Sequence, residues 1–203
     1  MEITYTFENG LYLNITNKCP NRCTFCVRQN RDSIGDADSL WLEREPTLNE
    51  VVNDVFRRHL ADYNEVVFCG YGEPTCRMDV LTDVASKIRA VNPSMPIRVN
   101  TNGLGSLYNE RDIAPEFSGL VDTVSISLNA STAAGYNEIC KPIYGEAAFE
   151  GMLDFTRKVT RYVPNVIMSV VDVIGAEEIE ACRQICEQCG AVYKVRSYIP
   201  KEK

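Results

Sequence analysis

"EVVFCGYGEPT", residues 65–75, is the stretch on which the fold turns. A short apolar run from Val66 to Phe68 is closed at once by Gly70, Gly72 and Pro74, which is how a buried strand ends in a tight turn. The pattern then changes period. Met78, Leu81, Val84, Ala85, Ile88 and Val91 recur at helical spacing until Pro93 stops them. The same strand-then-helix unit repeats downstream. "IRVNTNG" (97–103), "TVSISLNA" (123–130), "VIMSVVDV" (166–173) and "AVYKVRSYI" (191–199) are strands. Helical pattern covers about 134–162, broken near Pro142 to Gly145, and again Glu177 to Cys189, while "RDIAPEF" (111–117) allows only a short helix.

Upstream, Thr47-Leu48-Asn49-Glu50 has capping-box form, followed by Leu48, Val51, Val52, Val55, Phe56 and Leu60 on one helical face. The chain opens with a hairpin: "ITYTF" and "LYLNIT" flank Glu8-Asn9-Gly10, and Asn-Gly suits a two-residue turn. Between the hairpin and the first helix, Arg28 to Glu45 is a long irregular connection of the kind that is functional or mobile. Six strands separated by helices imply parallel βαβ units with right-handed crossovers. Either a flat doubly wound sheet or an incomplete barrel satisfies that pattern. The chemically informative residues follow four consecutive strands: Cys19, then Gly70 to Pro74, then Thr101 to Gly103, then Asn129. A barrel gathers all its strand ends on one active rim, whereas an open sheet binds at a single switch point. The expected fold is therefore α/β, a partial (β/α)6 barrel, open and parallel, with an N-terminal antiparallel hairpin strand, in one domain over residues 1–203.

With 203 residues, 45% of them hydrophobic, the chain suits one well-buried domain. It has no eighteen-residue apolar run and no apolar leader-like segment at its start, so a soluble cytoplasmic protein without membrane partners is expected. A net charge of −7 argues against non-specific nucleic-acid binding, which needs basic surface. Nine cysteines make an odd disulfide set, and in a reducing compartment clustered cysteines bind metal or react.

Three of them lie in "NKCPNRCTFCVRQ", residues 17–29, as Cys19, Cys23 and Cys26, with no fourth cysteine or histidine nearby. A structural zinc site wants four such ligands. Iron–sulfur cubanes are held by cysteine thiolates, normally four, so three leave one iron open to an outside ligand. Phe25 adds an apolar side chain that shields such a group from water. A three-cysteine zinc is the competing reading, and the single histidine, His59, is expected on the surface of the first helix.

Cys19, Cys23, Phe25 and Cys26 resemble the C-x3-C-x-Φ-C loop of the radical SAM superfamily, Φ being usually aromatic. The resemblance extends through "CGYGEPT", "VNTNG" and "VSISLNA"; with "LWLEREPT", the set is similar to the small TatD-associated radical SAM proteins. It implies a [4Fe–4S] cluster on the three cysteines and S-adenosylmethionine (SAM) bound at the open iron. One electron from an external donor would cleave SAM to a 5′-deoxyadenosyl radical, which abstracts hydrogen from a small-molecule or macromolecular substrate. A TatD-family hydrolase is an implied functional associate.

Around the cofactor, Gly70, Gly72 and Glu73 would approach SAM, since glycines admit close backbone contact and carbonyls or a carboxylate accept from an ammonium. Tyr71 makes the motif Gly-Tyr-Gly-Glu-Pro, a form also found in radical SAM methyltransferases of RNA. Thr101, Asn102, Ser127 and Asn129 correspond to positions that touch the methionine or ribose, and Ile174 with Gly175 to a looser adenine-contacting segment. Glu177 and Glu178 read equally as first-turn helix acids. Tyr71, Arg28, Arg44, Trp41, Arg196 and Tyr198 are the candidate substrate residues. Cys69, Cys76 and Cys140 suit small buried positions, with a substrate-linked cysteine at Cys76 as the alternative.

Cys182, Cys186 and Cys189 repeat the C-x3-C-x2-C spacing, which taken as a pattern is an auxiliary cluster. Their positions i, i+4 and i+7 fall on one stripe of an amphipathic helix, where cysteine serves as a small hydrophobe. The function expected is a radical SAM enzyme. Methylation of RNA and a non-catalytic metal-binding protein on the same barrel are the alternatives.

Overall fold

The computed structural model describes residues 1–31 and 33–199. Its sheet has seven strands in chain order. β1 (Thr4–Phe7) runs antiparallel to β2 (Gly10–Leu13). From β2 onward, β3 (Glu65–Phe68), β4 (Ile97–Thr101), β5 (Thr123–Ser127), β6 (Asn165–Val171) and β7 (Val192–Arg196) are each parallel to the strand before. β1 and β7 lie at opposite ends of the order and do not pair, so the barrel is open. The helices are α1 (Leu48–Arg57), α2 (Met78–Val91), α3 (Gly105–Tyr108), α4 (Ala133–Cys140), α5 (Ala147–Val159) and α6 (Ala176–Gln188).

Strand alternation sorts the side chains onto two faces. Leu11, Leu13, Val66, Phe68, Val99, Ile126 and Met168 join Val55, Val84, Ile88, Met152 and Phe155 of the helices in one core. α1 starts where its sequence says. Thr47 caps it, accepting from Glu50 N–H while the Glu50 carboxylate accepts from Thr47 N–H, an arrangement worth about 1 kcal/mol. Thr132 caps α4 through Gly135 N–H, and α6 carries Glu177 and Glu178 in its positively polarised first turn.

The inner face is divided. On the β1–β3 side it is apolar, with Tyr5, Tyr12, Val67 and Tyr71 packed against Ala37 and Leu40 of the long connection. That connection is held, not loose. Asn14 Nδ2 donates to Leu40 O at 2.8 Å, Asn17 Nδ2 to Leu42 O at 2.7 Å, and Leu40 is fully buried, worth about 1.5–3 kcal/mol. On the β4–β7 side the inward positions include Arg98, Asn100, Ser125, Ser127, Ser169, Lys194 and Arg196, interspersed with Ile167, Val171 and Val192, as the register of the ladders requires.

Three expectations need correction. The hairpin turns on Glu8-Asn9, with the positive φ (51°) on Glu8, because Gly10 pairs with both Phe7 and Glu65 and is thereby taken into β2. His59 lies beyond α1, exposed, with its ring against Asp62. The single turn of α3 interrupts a segment expected to hold only the short helix at Ala114–Phe117.

Candidate active site

Because β2 to β7 are parallel, the residues following each strand meet at one end of the barrel. Cys19, Cys23 and Cys26 occupy the loop after β2, all partly accessible and none in a disulfide. Their loop is gripped from two sides. On one, Glu73 N–H donates to Lys18 O at 2.7 Å, and the Gly72 backbone lies so close that a Cβ there would stand 2.2 Å from Thr16 O and 2.7 Å from Lys18 O. Only glycine permits that approach. On the other side the carboxyl end of α4 is latched to the loop. Arg22 N–H donates to Cys140 O, Thr24 N–H to Ile139 O and Ile143 N–H to Pro20 O, each at 2.9 Å. Asn21 Nδ2 adds a bond to the buried Tyr136 hydroxyl at 3.0 Å.

Arg28 ties the cysteine loop to the Gly-Tyr-Gly-Glu-Pro turn, donating to Asn21 O at 3.1 Å and Tyr71 O at 3.4 Å. Its charge favours thiolate at each of the three cysteines, but burial outweighs it and pushes Cys19 up to about 12, with the nearby Glu73 carboxylate adding to the rise. Cys26 is raised by burial too. Cys23 is raised first by its hydrogen bond with the Cys140 thiol and then by burial. These sulfurs hold their protons until a metal displaces them.

Glu73 is buried and accepts four hydrogen bonds. Thr75 N–H and Thr75 Oγ1 reach Oε1 at 3.1 and 2.7 Å, Thr101 Oγ1 reaches Oε1 at 2.6 Å, and Asn102 N–H reaches Oε2 at 2.7 Å. The carboxylate thus clamps the loop after β3 to the loop after β4. Asn102, positioned by Leu104 N–H on its Oδ1, directs its amide at Cys19 Sγ, 3.7 Å away. Asn129 stands in the left-handed region (φ 60°), and its amide donates to Cys140 Sγ at 3.7 Å. Ser127 Oγ accepts from Arg196 Nη2 at 3.3 Å. Ile174, partly buried, packs against the core just before α6, and Glu178 of that helix is bound to Ser131 at 2.6 and 2.9 Å.

Several substrate candidates turn out to be engaged by the protein. Tyr71 is only 3% exposed, its hydroxyl donates to Arg31 O, and Trp41 packs edge-on against its ring at 5.1 Å. Arg44 is paired with Glu50 at the amino end of α1, at 2.5 Å. Arg196 and Tyr198 do lie on the rim, where Asn30 Nδ2 donates to the Tyr198 hydroxyl at 3.0 Å and to Ile199 O at 3.2 Å. This contact bridges the open side of the barrel at its mouth. Cys182, Cys186 and Cys189 are buried in the helix-to-sheet core, with Cys186 Sγ donating to Ala191 O at 3.1 Å. A shallow cleft at the opposite end of the strands, lined by Glu8, Asn64, Glu65 and Pro96, holds no comparable group of functional side chains.

The donor set fits an iron–sulfur cubane with one open iron. It offers three soft sulfurs on one loop, with the Cys140 thiol of α4 hydrogen-bonded to Cys23. Among the described residues no three cysteine, histidine or acidic side chains crowd closely enough to share one ion, as a zinc site would demand. A cubane instead spreads its ligands over separate irons. Two buried amide oxygens, Asn21 Oδ1 and Asn129 Oδ1, lack a partner among the described residues, leaving acceptors beside the loop for a donor-bearing cofactor.

Fold and site together define an open α/β barrel with a three-cysteine loop after its first parallel strand. The chain belongs to the radical SAM superfamily, whose model matches residues 13–191. Enzymes of this superfamily work with a [4Fe–4S] cluster and SAM. The chain is 30% identical over 122 residues to a GTP 3′,8-cyclase of Paenarthrobacter nicotinovorans, covering 58% of this chain and 31% of that protein. It thus spans under a third of the curated relative's length. Among solved structures it is similar to a radical SAM methyltransferase from Sphaerobacter thermophilus, with TM-score 0.63 and 15% identity over 96% of this chain and 68% of that one. It is also similar to Streptococcus suis SuiB bound to S-adenosylmethionine, with TM-score 0.65 and 15% identity over 97% and 40% of the two chains.

Proposed function

We propose that the chain is a single radical SAM core domain, over residues 1–203, in which Cys19, Cys23 and Cys26 hold the [4Fe–4S] cluster and the rim above β3 to β6 receives SAM. The observation that carries this reading is the convergence of the cysteine loop, the Gly72–Glu73 turn and Asn102 through direct hydrogen bonds. When bound, the cluster and SAM supply one-electron cleavage of the sulfonium and a 5′-deoxyadenosyl radical for hydrogen abstraction from substrate. The protein supplies placement. Glu73 fixes two loops in register, Asn102 offers a hydrogen bond to the Cys19 sulfur, which tunes a cluster's potential, and Phe25 packs against the core. Gly70, Gly72, Thr101, Ser127, Asn129 and Ile174 form the cofactor's surroundings, and Arg196 and Tyr198 face the substrate.

The sequence set that includes "LWLEREPT" supports placement in the TatD-associated group, with a TatD-family hydrolase as associate and an external one-electron donor. No helix among the described residues is long and apolar enough to cross a membrane, which accords with a cytoplasmic enzyme. Anaerobic reconstitution followed by dithionite reduction tests the reading. About four irons per chain and release of 5′-deoxyadenosine are expected, both lost when the three cysteines become alanine. Undiminished iron and sulfide in that variant would refute the ligand assignment.

A further inference from the structure

The interior of a packed (β/α) barrel is filled by bulky aliphatic side chains. Here that holds for only half of the inner face. The β1–β3 half is closed by Tyr5, Tyr12, Val67 and the inserted Leu40, whereas β4 to β7 turn hydroxyls, an amide and cations inward alongside Ile167, Val171 and Val192. Three cations stand on this wall. Arg98 is neutralised, since Glu65 takes its guanidinium on two oxygens at 2.6 and 3.0 Å. Lys194 and Arg196 have no carboxylate partner among the described residues, and the one hydrogen bond formed by the Arg196 side chain goes to the Ser127 hydroxyl. They sit two residues apart on β7, so their side chains share a face. Lys194 is level with Ser169 and Arg196 with Val171 of β6.

This is an unusual place for unpaired positive charge. The protein as a whole carries −7, yet the inward face of β7, next to the cofactor rim, carries two cations. Arg196 remains accessible while crowded by protein, and that loss of hydration, with the like charge of Arg98, disfavours its cationic form. A desolvated guanidinium without a counter-charge gains most from an oxyanion, which it meets with two parallel N–H donors, while a lysine adds a point charge.

We infer that Lys194 and Arg196, the latter held by the Ser127 hydroxyl, form a subsite for an oxyanion of the substrate, of phosphate type. The assignment rests on the radical SAM reading only for the word substrate; the anion site itself stands on the wall's geometry. The phosphate-bearing group would lie along β7, beneath the Asn30–Tyr198 bridge, with the rest of the molecule reaching toward the cofactor rim.

Inorganic pyrophosphate is the probe, titrated calorimetrically into the full chain, both reconstituted with SAM present and without cluster. Binding is expected in both forms, weakened at least about tenfold in Arg196→Ala, less in Lys194→Gln, and reduced by added salt. Affinity for SAM is expected to be unchanged by either substitution. The inference is overturned if the wild-type chain does not bind pyrophosphate, or if Arg196→Ala and Lys194→Gln both bind it as tightly as wild type. It is equally overturned if Arg196→Ala loses SAM, because Arg196 would then serve the cofactor's own carboxylate. Arg196→Lys, which keeps the charge, guards against misfolding and should retain part of the affinity. Absence of 5′-deoxyadenosine with pyrophosphate binding intact would sink the enzymatic reading and leave the anion site standing.

Discussion

Replacing Glu73 separates a clamp from a ligand. In Glu73→Ala two buried backbone donors, Thr75 N–H and Asn102 N–H, lose their acceptor, while the two threonine hydroxyls are free to rotate. Each orphaned donor costs about 1–3 kcal/mol, so the loss is about 2–6 kcal/mol. Removal of a desolvated charge offsets part of this, which places the expected value in the lower half of that range. Against a total stability of about 5–15 kcal/mol the effect is large. Urea unfolding of the cluster-free protein is the assay, with a midpoint lowered by about 1–2 M for a slope of about 1–3 kcal/mol per molar. The pH dependence carries a sign of its own. Burial raises the Glu73 carboxyl above the usual carboxylate range, against the four hydrogen bonds that oppose it. The folded chain therefore keeps a proton that the unfolded chain has already released. Its contribution is complete below the ordinary carboxylate pKa and is lost as pH rises through the raised value. Glu73→Gln abolishes that slope, so its deficit relative to wild type should shrink as pH climbs. A cluster-free Glu73→Ala protein as stable as wild type, but unable to bind SAM, would show that the carboxylate is a cofactor ligand and that the clamp reasoning is wrong.

Gly72→Ala is expected to destabilise the cluster-free chain by about 1–3 kcal/mol, because the new methyl meets the carbonyls of Thr16 and Lys18. Gly175→Ala, at φ −65° with nothing within 4 Å, should stay within about 0.5 kcal/mol by the same urea titration; equal effects at the two sites would contradict the close-approach argument. Changing Cys182, Cys186 and Cys189 together to alanine should lower stability by about 1 kcal/mol per site and leave iron at about four per chain. An initial content near twice that, halved by the substitutions, would mean that these cysteines carry a second cluster.

What the sequence made legible is what repeats. Apolar runs at Val66–Phe68 and Val166–Val171, and the helical rows around Val84 and Phe155, each bury a full face, so pattern alone places them. The alignment of chemically loaded residues with strand ends was legible for the same reason and distinguished a barrel from a flat sheet. The plug was not. Ala37, Leu40 and Leu42 are too sparse to show a period, and they bury only because Asn14 and Asn17 hold the chain across β2. A signal existed in Asn14, a polar residue in the otherwise apolar "LYLNIT". Asn129 and the α4 latch depend on backbone geometry between segments distant in sequence, which no local pattern encodes. Arg28 and Tyr71 look like substrate residues by their chemistry, and both join loops, a role that depends on contacts distant in sequence.

The α4 latch also sets an order of events during synthesis. Thr24 and Ile139 are about 115 residues apart, so at roughly 5–20 residues per second the ribosome takes about 6–23 s to deliver the second after the first. Through that interval the cysteine segment has left the decoding centre while the backbone groups that grip it do not yet exist. A nascent chain thus presents its three thiols as an ordinary flexible peptide until Ile139 and Cys140 have been made. If these thiols hold the proposed cluster, the machinery that loads it would meet either a free peptide or a loop already latched to α4, depending on when in synthesis it acts.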